Sequence, residues 1–165
     1  MATTYTLIES VTVGAGGAAN IEFTSIPATY TDLVLKISPR LDSTNGTVYI
    51  DYNSTTSNQS WRRLFNSSGT AGSDNSTRQL MTAVESTFTA NTFGSTEIYI
   101  PNYASSNYKS SSVDTVQENN SSTNLQALIA NLWSDTAAIT AIRIVPFSGN
   151  FVQYSTAYLY GISNA

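Results

Sequence analysis

Apolar and polar residues alternate in short runs along the whole chain, the period of two that marks half-buried β-strands. In YTLIESVTV (5–13), Tyr5, Leu7, Val11 and Val13 share one face. In NIEFTSI (20–26), Ile21 and Phe23 alternate with Asn20, Glu22 and Thr24, and Pro27 closes the run. DLVLKIS (32–38) sets Leu33, Leu35 and Ile37 inward and Lys36 outward, and GTVYIDY (46–52) aligns Val48, Ile50 and Tyr52. SWRRLF (60–65) divides into Trp61, Arg63 and Phe65 on one face and Arg62 and Leu64 on the other. STEIYIPNY (95–103) carries a strand into Pro101, which has no amide hydrogen for a ladder and belongs at a strand end or edge. ITAIRIV (139–145) is rich in β-branched residues and ends at Pro146. STAYLYGI (155–162) reads as a closing strand, with Thr156, Tyr158 and Tyr160 on one face and Ala157, Leu159 and Gly161 on the other. The domain is expected to be complete where this strand ends.

The intervening stretches are STTSNQ (54–59), NSSGTAGSDNST (66–77), NYASSN (102–107) and ENNSSTN (118–124), all read as loops. Ser, Asn, Asp and Gly favour turns and local side-chain bonds to the backbone over ladders. GAGGAA (14–19) supplies turn glycines. Short strands at regular spacing between polar loops predict an all-β fold, an antiparallel β-sandwich of jelly-roll type, in one domain over 1–165. No internal repeat interrupts the pattern.

Two segments fit more than one element. NLQALIANLW (124–133) places Leu125, Leu128, Ile129, Leu132 and Trp133 at helical spacing. Read at period two, it is a strand buried on both faces. QLMTAVESTF (79–88) is open in the same way and admits one short helix.

Composition narrows the function. Charged residues make up 11% of the chain, less than half of the usual share of about 25%. Polarity comes instead from Ser, Thr and Asn, which exceed a third of the residues. The net charge is −4, and of the seven basic residues only Arg62 and Arg63 are adjacent. Nucleic-acid binding needs a basic stripe to neutralise phosphates, so no nucleic-acid partner is expected. An anionic membrane surface is disfavoured for the same reason, and no apolar run is long enough to span a bilayer. The N-terminal stretch lacks the basic and apolar regions of a secretion signal.

The chain has no Cys and no His. That removes disulfides, thiolate and imidazole metal ligands, Cys nucleophiles and imidazole bases. The eleven acids are scattered singly, without a pairing that would suit glycoside hydrolysis. The run Asp42–Thr47 is rich in oxygen ligands, but its spacing departs from a calcium loop after Gly46. No catalytic residue, cofactor site or metal site is expected. Trp61 and Arg62 are candidate partner or glycan contacts, because aromatic and Arg side chains anchor interfaces. Tyr103 and Tyr108 flank the Ser/Asn-rich loop 102–107 and are candidates on the same ground. Against these stand the plainer readings, Trp61 in the core and the tyrosines as loop anchors.

The opening YTLIESVTVGAGGAANIEFTSIPATYTDLVLKIS, the middle EIYIPNYASSNYKS and the end LWSDTAAITAIRIVPFSGNFVQYSTAYLYGI carry recurrent core and turn residues. They resemble a β-rich module of virion proteins from tailed phages, especially those of cyanobacteria and other aquatic bacteria. The likeness weakens over 53–92. It favours a strand at 124–133. It implies a virion protein without catalysis, on the outer surface and on the head rather than the tail. A capsid decoration or cement protein, homotrimeric and bound to the major capsid protein, is the leading form. The alternative it implies is a tail-fibre adhesin that recognises host surface polysaccharide.

Overall fold

The alternation resolves into two stacked sheets. The structure, a computed structural model, describes residues 4–120 and 124–163. In chain order its strands are β1 Tyr5–Thr12, β2 Ile21–Phe23, β3 Asp32–Ser38, β4 Thr47–Tyr52, β5 Gln59–Ser67, β6 Thr70–Ser76, β7 Leu80–Thr82, β8 Ser95–Ile100, β9 Lys109–Glu118, β10 Asn124–Trp133, β11 Ile142–Pro146 and β12 Thr156–Ile162. They form an eight-stranded sheet in the order β1-β12-β3-β8-β9-β10-β5-β6 and a four-stranded sheet in the order β2-β11-β4-β7. Every pairing within the two sheets is antiparallel. The fold is therefore an all-β sandwich, and neither sheet closes on itself. Phe23, Leu35, Ile50, Tyr52, Ile98, Trp133, Ile144 and Leu159 belong to one hydrophobic core between the layers.

The closing strand lies inside the large sheet, between β1 and β3. Ala157, Leu159 and Gly161 point into the core, as their alternation predicts. Gly161 is required there: a Cβ would sit 2.3 Å from the ring of Tyr30.

Several expectations are corrected. Residues 79–88 contain no helix. Gln79 through Val84 are all buried, which suits a strand covered on both faces and leaves no polar face for a helix to turn outward. Leu80–Thr82 form β7, and a turn follows, closed by Phe88 N–H donating to the Glu85 carbonyl at 3.2 Å. Residues 124–133 are a strand, but one buried on a single face. Ala127, Ile129, Asn131 and Trp133 point in, and Leu128 stays 59% exposed.

The face expected for 5–13 is split. A bulge between Leu7 and Glu9 leaves Tyr5 and Leu7 outside, while Ile8, Val11 and Val13 pack on the core. The loop expected at 66–77 is a hairpin. Ser68 and Gly69 take φ of 51° and 86°, the left-handed pair of a two-residue turn, and β6 pairs along β5.

β9 carries no hydrophobic alternation. Its inward positions are Lys109, Ser111, Val113, Thr115 and Gln117. Two of these polar groups, Ser111 and Thr115, find partners on the facing layer or the neighbouring strand. Thr115 Oγ1 lies 3.0 Å from Thr82 Oγ1 and 2.7 Å from Thr96 Oγ1, and Ser111 Oγ lies 3.3 Å from the Tyr52 hydroxyl. Buried polar atoms are tolerated when they are bonded.

Candidate functional site

The four-stranded layer covers only the inner face of the large sheet. On the outer face, pairing registers line up Ser73, Leu64, Leu128 and Asp114 in one row and Asn75, Arg62, Ala130 and Ser112 in the next. Leu64 is 64% exposed and Leu128 59%. All of these residues but Asp114 line a shallow groove across β6, β5, β10 and β9. Val116 lies on the same face beside Leu128, and Tyr5, Leu7, Tyr99 and Tyr158 lie farther along it. Among the described residues, seven of the ten exposed large hydrophobic side chains thus occupy one sheet face. Single exposed hydrophobes are ordinary; Leu64, Leu128 and Val116 are adjacent and form one exposed apolar group on this face.

The four sequence-predicted candidates separate. Arg62 is exposed and borders the groove. Trp61, one residue away, points into the opposite face and is 9% exposed. Tyr103 has no exposed surface; its hydroxyl donates to the Pro27 carbonyl and accepts from Tyr30 N–H, so it anchors the 102–107 loop from inside. Tyr108, at 62% exposure, is free on the surface. Sequence reasoning placed Leu64 outward beside Arg62 but missed Leu128. Only the register Leu64↔Leu128 makes the two neighbours, and no local pattern carries that pairing.

The ionisable groups serve the scaffold. Arg63 lies between the rings of Trp61 and Phe65, and its Nε donates to Asp74 Oδ1 at 2.9 Å. Buried Asp51 is held by Arg78, at 3.0 and 2.8 Å. This partnership holds the Arg78 guanidinium above its ordinary range, through the hydrogen bond to Asp51 first. Arg40 donates to the carbonyls of Ser86, Phe88, Thr89 and Thr92 and fixes the 86–92 loop. Lys109 is 1% exposed and donates to the carbonyls of Ser105, Asp135 and Ala137. Burial pushes its ammonium below the ordinary lysine range, against the opposing pull of Asp135.

In the run Asp42–Thr47, Asp42 Oδ1 accepts from Asn150 N–H at 2.7 Å, and Ser43 Oγ lies 2.6 Å from Ser148 Oγ. These ligand-type oxygens tie two loops together. Among the described residues no group of three or more acids is gathered for a metal ion. No family model matches the chain, and no curated protein or solved structure matches it.

Proposed function

We propose that the chain is a non-enzymatic structural protein of a tailed-phage virion. It decorates the outer shell of the head and grips the major capsid protein through the outer face of its eight-stranded sheet. The observation that carries this reading is the gathering of Leu64, Leu128, Val116 and the flanking aromatics on one uncovered face, among Ser, Asn, Arg62 and Asp114 side chains. The resemblance of the opening, middle and closing strands to virion modules supplies the setting. A surface of this kind adheres through apolar contact and side-chain hydrogen bonds. Binding to the assembled shell alone stabilises that shell by mass action.

Tyr108 supports a second reading. An exposed tyrosine beside a Ser/Asn loop suits a glycan contact, and a tail-fibre adhesin would use it. Gold-labelled antibody on intact virions separates the two. Label spread over the head is the expected result. Label confined to the tail overturns the decoration reading and turns attention to Tyr108. The face is tested by Leu128→Ser, which touches no core position and sets no like charge opposite Asp114. This variant is expected to fold normally and to lose rebinding to stripped heads.

A further inference from the structure

A sheet edge is a row of unpaired amides and carbonyls that accepts another strand unless something prevents it. The two sheets end in four edge strands. β2 and β7 have three residues each, too short to template much pairing. β1 is interrupted by its bulge and carries the exposed charge of Glu9. β6 has none of these protections. It runs for seven residues, pairs with β5 from Trp61↔Ser76 to Ser67↔Thr70 without a break, and contains neither Pro nor Lys. Its one charge, Asp74, is neutralised by the two-pronged bond from Arg63.

We propose that β6 is a self-association edge, on which β6 of a second copy pairs antiparallel about a two-fold axis at Ser73. Two eight-stranded sheets then become one continuous sheet. The register follows from charge. Centred on Ser73, Ala71 meets Asn75 of the partner subunit and Gly72 meets Asp74 of the partner subunit. Each carboxylate keeps its own arginine. Centring on Asp74 would set two carboxylates directly opposite, which is unfavourable. In this register a second copy brings a strand of equal length and sets no like charges opposite each other. The axis is perpendicular to the sheet, so both outer faces point the same way and both grooves are presented together. The pairing stands independently of the proposed virion role. It is two-fold, unlike the trimer that the family resemblance implies.

Sedimentation equilibrium of the full chain tests it, using wild type, Ser73→Lys, Ser73→Glu and an equal mixture of the two variants. Ser73 is exposed, so both variants fold, which circular dichroism checks. Wild type is expected to dimerise in the micromolar range, in keeping with a small interface. Each variant is expected to associate several-fold more weakly, because like charges then face each other across the axis. The mixture is expected to recover the dimer. A wild-type monomer or trimer, a dimer indifferent to Ser73→Lys, or a mixture that stays monomeric overturns the proposal.

Discussion

The ring of Phe65 lies across Gly72 on the neighbouring strand, so closely that a Cβ at Gly72 would meet ring carbon Cζ at 2.6 Å. β6 has no large apolar side chain of its own, and this ring covers its backbone. Arg63 sits over the same ring at 4.5 Å and limits how far it can move. Gly72→Ala is expected to cost about 1 kcal/mol by overpacking, with amide protection lost first over 70–76. In a Phe65→Ala background the same change should cost nothing, because alanine suits a strand better than glycine once the ring is gone. Chemical denaturation of the four proteins in a double-mutant cycle measures that coupling.

Asn131 joins the two layers. Its Oδ1 accepts from Leu80 N–H and its Nδ2 donates to the Leu80 carbonyl, each at 3.1 Å. The amide acts as one more rung on β7. Asn131→Ala leaves two buried backbone groups unpaired and is expected to cost about 3 kcal/mol in urea unfolding. Asn131→Asp should cost more, since it also buries a charge and removes the donor.

Lys109 holds two loops by their carbonyls, at 2.8 Å to Ser105 and 2.6 Å to Ala137. Lys109→Met fills the space and removes the donors. A loss of about 3 kcal/mol is expected. Hydrogen exchange should show faster opening of residues 102–108 and 134–138 before any change in the sheets.

Alkaline pH should unfold the chain through its tyrosines. Burial raises the Tyr52 hydroxyl well above 10.0, opposed by its bond to Ser111. The bond to Asp32 raises Tyr99, and burial raises Tyr103. A raised folded value means that the native state holds protons which the unfolded state releases. Their contribution is therefore complete below pH 10 and declines as pH rises beyond it. Lys109 acts in the opposite direction, because its amine is held below the lysine value. Melting temperatures across this range should fall above pH 10, and Tyr52→Phe should flatten the fall.

How much of this was legible depends on which force shaped each element. β3, β4, β5 and β12 are half-buried strands whose inward residues are mostly apolar, so period two revealed them and their faces. β9 was hidden because Lys109, Ser111, Thr115 and Gln117 face inward. Ser111 and Thr115 are held there by hydrogen bonds to other strands, and Lys109 by loop carbonyls, which leave no hydrophobic trace. β6 was hidden because its partner, rather than its own side chains, stabilises it. The bulge in β1 shifted a face that strict alternation had assigned to Tyr5 and Leu7. Of the candidate contacts, Arg62 reached an exposed groove, whereas Tyr103 was claimed by a buried hydroxyl bond.

Local periodicity, turn residues and the lack of Cys and His were enough to establish an antiparallel β-fold and to remove thiol and imidazole chemistry, because each is a property of neighbouring residues or of composition. The layer sizes, the strand order and the meeting of Leu64 with Leu128 came from pairing between distant segments. So did the inward role of the polar strand β9. Such pairing is decided by the free energy of the whole core, in which a buried threonine or lysine is acceptable once another segment supplies its partner.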